Sequence, residues 1–328
     1  MRIGVFCSGG DAPGMNACVR AVVRTAAEAG QEVIGILRGY QGLLEEDFFV
    51  ASDGKPHMTA RSVSNLSPLG GTILRTSRSS EFQTEAGLKK AAAILRRNKI
   101  DALVPIGGDG TFHGAVALAR YWDGRIIGCP GTIDNDLRGT DYTIGFATAV
   151  HTAVEAVDKL RDTAESHERM FLVEVMGRHS GYIALYTALA AGAEVVCIPE
   201  TPTHIVRIIE KIKSLRARGK KSIIAIVAEG DEAGGAAGLV ERFRAHGAPF
   251  DIRTVILGHV QRGGSPVPAD RILATRLGAF AVRSILDGHS GKMAGQTRGE
   301  LVLVPFPDTF GHNPVPPELI ELLETMAT

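Results

Sequence analysis

Short apolar runs closed by glycine or acidic residues alternate along the chain with longer alanine-rich stretches in which apolar positions recur every three or four residues. The runs RIGVF, EVIGIL, ALVPI, RIIGC, MFLVEV, EVVCIP, KSIIAIVAEG and DIRTVILGH read as strands. Several are apolar almost throughout rather than alternating, as strands covered on both faces of a parallel sheet are. Helices are predicted over 16–29, 85–98, 111–120, 143–161, 181–191, 205–218 and 269–287. The pattern passes twice, once before about Gly139 and once after it. It predicts an α/β fold class: two Rossmann-like three-layer α/β/α lobes with a cleft between them. The glycine-rich stretch HVQRGGSPVPAD reads as a crossing between lobes, so neither need be continuous in sequence.

Composition narrows the function. The 328 residues carry 36 basic and 36 acidic side chains, so no net field recruits nucleic acid or an anionic membrane, and any basic function must be a local cluster. The apolar runs are too short to span a bilayer, and MRIGVFCSGGD opens as a strand rather than a signal peptide, which makes a cytoplasmic location the expectation. Cys7, Cys18, Cys129 and Cys197 lack metal-ligand spacing and read as core thiols.

The chemistry concentrates in the turns. In GVFCSGGDAPGMNACVRAVVR a strand turns through Gly9, Gly10 and Gly14 into a helix near Asn16. Such a junction brings backbone N–H groups up to an anion, although the spacing fits neither a P-loop nor a dinucleotide fingerprint, and a tight structural turn explains it equally well. PIGGDGTFHGAVALA repeats the arrangement, with Asp109 inside the glycine loop and Thr111 at the expected helix cap. A carboxylate there would repel phosphate unless a divalent cation lay between them, so Asp109 is read as a Mg2+ contact, direct or through water, against the alternative of a capping aspartate. PGTIDND places Asp134 and Asp136 two positions apart behind a strand. Asp134 could take the proton of an attacking hydroxyl, Asp136 could shape the metal shell, and Thr132 could donate to transferring phosphoryl oxygens; two Asx turns in a surface loop are the plainer reading. Arg178 in EVMGRHSGY, with Arg78, Arg169, Arg253 and Arg262 also at or beside predicted strand ends, favours a polyanionic substrate. His259 could orient a sugar phosphate or serve as an ordinary structural donor.

Taken together, SGGDAPGMNA, GGDGT, PGTIDND, GTDYTIGF, EVMGRHSGY and LGHVQRGGSP resemble the phosphofructokinase family, in its short bacterial ATP-dependent form, across nearly the whole chain. The resemblance implies phosphorylation of fructose 6-phosphate at the 1-hydroxyl by ATP, giving fructose 1,6-bisphosphate and ADP, a committed step of glycolysis. It assigns residues 1–139 with about 260–305 to an ATP-binding lobe, and 140–259 with about 306–328 to a fructose-6-phosphate lobe. It makes Asp134 the base, puts Asp109 and Asp136 in the Mg2+ and phosphoryl environment, and places Gly10, Arg78, Gly110 and Thr132, with the Gly108–Thr111 loop, around the nucleotide phosphates. Thr132, Met176, Gly177, Glu229, His259 and Arg262 match the sugar-phosphate site, where Arg178 joins them. Arg169 and Arg253 match arginines that reach the substrate from a neighbouring subunit, which implies shared sites in a homotetramer. Arg20, Arg24, Arg161, Glu194, Arg218, Lys220 and Lys221 match an interface effector site for ADP or phosphoenolpyruvate; Arg20 and Arg24, one helical turn apart, could equally be a solvated face. The sequence departs from the family pattern at Gln83 and Ala60, each standing where an arginine is usual, and at Ser222, where a histidine occurs. A pyrophosphate-dependent relative is the nearest alternative; its pattern carries GGDD and PKTIDND where this chain has Gly110 and Gly131, small residues expected to leave room for a nucleotide. A noncatalytic sugar-phosphate or nucleotide sensor is the alternative from another class.

Overall fold

The computed structural model describes residues 1–327 as two compact α/β units. The first comprises Met1–Ile133, Leu137–Thr148 and Arg262–Gly311; the second Asp134–Asp136, Ala149–Gln261 and the described residues from His312 onward.

The first unit is built on seven strands: β1 (Arg2–Ser8), β2 (Glu32–Gly35), β3 (Ala102–Gly107), β4 (Arg125–Thr132), β5 (Ile144–Gly145), β10 (Lys292–Thr297) and β11 (Glu300–Pro305). Their order is β11-β10-β4-β3-β1-β2, with the short β5 paired to β4. All pairs are parallel except the β10–β11 hairpin. The six residues of β3 are all buried, as the unbroken apolar run ALVPI requires. One face carries α1 (Met15–Glu28) packed on α9 (Pro268–Leu286). The other carries α2 (Gly39–Glu45), α3 (Glu85–Arg97) and α4 (Asp109–Leu118), whose Leu43, Leu95 and Phe112 close a core with Phe6 and Leu103. Thr84 caps α3, its Oγ1 accepting from the Gly87 N–H at 3.1 Å.

The chain runs outward from β1 to β2 and then returns across β1 to β3, so the order reverses at the β1–β3 pair, where open α/β sheets bind ligands beyond the strand C-termini. Register sets the geometry: Ser8 lies opposite Gly107, so the turns that follow β1 and β3 leave the sheet side by side.

The second unit has β6 (Met170–Val175), β7 (Val195–Cys197), β8 (Ile223–Ala228) and β9 (Ile252–Ile256) in the all-parallel order β7-β8-β6-β9. Helices α6 (Tyr182–Ala191) and α11 (Pro317–Met326) pack together. Helices α7 (Ile205–Ala217) and α8 (Gly235–Ala245) cover a core in which Ile212 and Phe243 meet Leu172 and Ala225. The remaining helices are α5 (Phe146–His167) and the one-turn α10 (Phe306–Thr309).

All seven predicted helices form, and α5 runs on to His167. The helices α2, α8 and α11 and the strands β5, β10 and β11 carry no expectation from the sequence pattern. The N-cap position of α4 is Gly108 rather than Thr111; Thr111 lies inside the first turn, where its hydroxyl donates to the Ser8 carbonyl at 3.2 Å and so ties the β1 turn to the β3 turn. All four cysteines are free and buried, and burial pushes the Cys7 thiol up to about 12. Among the described residues no helix is long and apolar enough to cross a membrane.

Candidate active site

In the first unit, the turns after β1 and β3 converge with the C-terminal end of β4. Gly14, at φ 108°, holds the entry to α1 in a backbone form that a side chain would strain. The Asn16 side chain then fixes the facing loop, accepting from the Ile73 N–H at 2.8 Å and donating to the Leu69 and Gly70 carbonyls at 3.1 Å each. Arg262 donates to the Asp11 carbonyl at 3.0 Å, and a Cβ on Gly10 would stand 2.5 Å from its Nη1; the glycine is what lets this guanidinium lie against the backbone. Register pairs Gly107 with Pro130, so β4 runs past β3 to Thr132, whose Cβ lies 3.5 Å from where a Gly108 side chain would begin. Gly10, Gly108, Thr111, Thr132 and Arg262 thus belong to one loop cluster.

Asp109 sits in the first turn of α4, half exposed, with His113 Nε2 at 3.5 Å. Gly110 beside it faces open space within 4 Å. Gly131 is different: a Cβ there would meet Met15 at 2.9 Å and Ile106 at 3.0 Å. The expectation that both glycines leave room therefore holds at Gly110 alone, because Gly131 is small to satisfy the core. Arg78 is exposed, and among the described residues its guanidinium makes neither a hydrogen bond nor an ion pair. Gln83 is also exposed, at the end of a short 3₁₀ turn anchored by Phe82, which stacks on Tyr40 at 3.9 Å; the Tyr40 hydroxyl in turn donates to the Thr111 carbonyl at 2.8 Å.

In the second unit, Val175 lies opposite Ala228, so the turns after β6 and β8 also start level. Glu229 binds them together, accepting from the Arg178 N–H at 2.9 Å and the Gly177 N–H at 3.3 Å. Arg178 adopts φ 53°, a left-handed conformation costing a non-glycine residue roughly 1–3 kcal/mol, and Gly230 fits beneath its carbonyl only because it has no side chain. The guanidinium lies 3.8 Å from Asp134, which is 3% exposed. The Ser180 hydroxyl donates to the Asp134 carbonyl at 2.8 Å, and Asn135 takes φ 52° to turn the chain between the two carboxylates. The next carboxylate, Asp136, is half-buried. Fully buried Gln261 accepts from the Met176 N–H at 2.8 Å, while His259 in the same short turn is exposed. Ser180 and Gln261 are not anticipated from sequence, since neither has a distinctive chemistry and each acts through hydrogen bonds to the backbone that the fold sets.

Arg169 and Arg253 stand apart from this group. Both pair with Asp251, at 2.9 and 3.5 Å, at the N-terminal edge of β6 and β9. The six-residue length of β6, ~20 Å, separates them from the C-terminal edge where Met176 begins its turn. Among the expected effector residues, the structure gathers Arg161, Glu194 and Lys220: Glu194 is 2% exposed, with Lys220 Nζ at 2.5 Å and Arg161 at 3.7 Å. Lys221 pairs with Glu168 instead at 2.6 Å, and Arg218 is exposed at the end of α7. Arg20 and Arg24 lie on α1 in the first unit.

No three His, Cys, Asp or Glu side chains among the described residues form a metal-holding group. Mg2+ carried on a nucleotide needs only one or two carboxylates beside phosphate and water, and a half-exposed Asp109 next to open space fits that requirement.

The phosphofructokinase family profile matches residues 2–285. The ATP-dependent 6-phosphofructokinase 1 of Thermus thermophilus is 55% identical over 304 residues, covering 93% of this chain and 92% of that protein. The ATP-dependent 6-phosphofructokinase 2 of Bacteroides thetaiotaomicron is 48% identical over 99% of this chain and 98% of its own length. The solved phosphofructokinase of Saccharomyces cerevisiae superposes with a TM-score of 0.84 at 34% identity, over 99% of this chain but only 46% of the yeast chain. A pyrophosphate-dependent phosphofructokinase from Marinobacter aquaeolei, 22% identical over 97% of this chain and 86% of its own, shares the fold with a TM-score of 0.82. From sequence match and fold together, the chain belongs to the phosphofructokinase family.

Proposed function

We propose that the protein transfers the γ-phosphoryl group of ATP to the 1-hydroxyl of D-fructose 6-phosphate, giving fructose 1,6-bisphosphate and ADP. The observation that carries this reading is the buried Asp134 carboxylate with the Arg178 guanidinium at 3.8 Å, in a loop held by Ser180 and entered two residues after Thr132. Asp134 accepts the hydroxyl proton as the sugar oxygen attacks the γ-phosphorus, and the bond to the β–γ bridging oxygen breaks to release ADP; no phospho-enzyme forms. Arg178, with Thr132 and Arg78, offsets charge on the phosphoryl oxygens in transit.

The first unit takes the nucleotide through Gly10, Gly108, Gly110 and Thr111. Asp109 would hold Mg2+ directly or through water, with Asp136 as the second candidate, and the ion would neutralise charge on the polyphosphate. The second unit takes fructose 6-phosphate through Met176, Gly177, Glu229 and His259. Arg169 and Arg253 serve the site of a neighbouring protomer in a homotetramer, a role that accords with their place on the opposite sheet edge. Regulation by ADP or phosphoenolpyruvate through Arg20, Arg24, Arg161, Glu194, Arg218, Lys220 and Lys221, and action in the cytoplasm, belong to the same proposal. ATP rather than pyrophosphate as donor is supported by the open space at Gly110 and by the ATP-dependent relatives. Side-by-side turnover with the two donors tests it: the rate with ATP should dominate, and predominant use of pyrophosphate would overturn the choice.

A further inference from the structure

A cavity of about 330 Å3 lies in the second unit beside β7, the edge strand of its sheet, with walls from α7 and α11. Val195, Ile208, Ile320 and Leu323 are among its apolar lining. Arg207 and Lys211 line it as well, at the four-residue spacing that stacks them along one face of α7, with His204 at the N-cap of the same helix. The loop leading into α7, which also borders the cavity, is fixed by its own partners, Thr203 donating from its hydroxyl to Asp231 at 2.7 Å and from its N–H to Glu232 at 2.9 Å.

Lys211 is half-buried, and among the described residues its ammonium has no hydrogen bond and no ion pair within 4 Å. Burial lowers its pKa below the usual lysine value, against the pull of the more distant Glu324 and Glu194 carboxylates. Arg207 is likewise unpartnered among the described residues. A desolvated cation beside an apolar wall is what a small-molecule site offers an amphiphilic anion, and the volume lies at the lower end of such sites.

We propose that this cavity binds a small organic monocarboxylate with an apolar body, the carboxylate pairing with Lys211 and Arg207 and the body packing on Leu323, Ile320 and Ile208. A highly charged phosphate ester suits it less, because Glu194 and Glu324 also line the cavity and would repel a polyanion. Glu194 is shared: the same residue that borders the cavity holds Lys220 at 2.5 Å and Arg161 at 3.7 Å.

Benzoate and its neutral analogue benzyl alcohol are suitable probes, titrated calorimetrically into the full chain and into Lys211→Met and Arg207→Ala variants. Arg207 is exposed and partnerless, so its replacement keeps the comparison meaningful even if Lys211→Met folds poorly. Saturable benzoate binding, weakened at least tenfold by Lys211→Met and severalfold by Arg207→Ala, with benzyl alcohol at least tenfold weaker than benzoate, is the expected result. Absence of saturable benzoate binding, equal affinity for the alcohol, or an affinity indifferent to Arg207→Ala would overturn the proposal.

Discussion

In the proposed mechanism Asp134 is the residue on which the chemistry turns. Asn at this position keeps the size and the backbone hydrogen bond from Ser180 but removes the proton acceptor. Asp134→Asn should lower kcat by roughly 10²- to 10⁴-fold while the KM for fructose 6-phosphate changes little, as steady-state kinetics would show. A turnover near that of the wild type would rule out an essential base there. Gly110 supplies a second test at this scale. Its missing side chain faces open space, so Gly110→Asp should fold normally and act by charge, lowering the rate with ATP far more than it lowers thermal stability. At this scale the sequence was legible in placement: Asp109, Asp134 and Arg178 stand in or beside the turns at strand ends where their sequence context puts them. It was silent where geometry decides, as at Gly131, whose role in the open nucleotide loop dissolves once Met15 and Ile106 are found against it.

The elements matter through their ends, because level strand termini bring unrelated turns together. In the second unit Gly230 lets the β8 turn lie under the Arg178 carbonyl, and any Cβ there would overlap it. Gly230→Ala should cost about 1–3 kcal/mol of stability and, by displacing the amides held by Glu229, raise the KM for fructose 6-phosphate; chemical denaturation and kinetics on one preparation would separate the two effects. In the first unit Asp270, 1% exposed in the first turn of α9, accepts from the Gly145 N–H at 2.9 Å and from the Thr148 N–H and hydroxyl at 2.7 and 2.5 Å. Burial raises its pKa above the ordinary 3.8 despite these bonds, so the folded protein keeps this proton to higher pH than the unfolded chain does. Stability from this group is therefore fullest below 3.8 and declines as pH rises through the elevated folded value. Asp270→Asn should lower the melting temperature, since its amide cannot accept all three donors, and should also remove that decline when melting is followed against pH. Elements were readable where periodicity is strong, as in α1, or where an apolar run is unbroken, as in β3. The helices α2 (GYQGLLE) and α8 (GAAGLVERFRA) escaped because glycines interrupt or open them, and β5 because two residues carry no period. In each case tertiary packing, not local preference, settles the conformation.

At the scale of the whole molecule, the proposed function divides labour within and between chains. Arg169 and Arg253, a strand's length from the turn that carries Arg178, make sense as substrate ligands only if they serve another protomer's site. Tetramers of Asp134→Asn and of Arg253→Ala should each be impaired, yet recover activity when dissociated and reassembled together, because hybrids contain sites free of both changes; failure to recover in hybrids of verified mass would place Arg253 outside any shared site. Arg24→Ala should weaken the response to ADP or phosphoenolpyruvate while sparing turnover without effector. The central claim is tested most directly by incubating the purified chain with Mg2+, ATP and fructose 6-phosphate and measuring both products over time. The account predicts ADP and fructose 1,6-bisphosphate in equal amounts, with both abolished together when the sugar phosphate is left out. Binding of either substrate without bisphosphate formation, or release of ADP unmatched by bisphosphate, would contradict it.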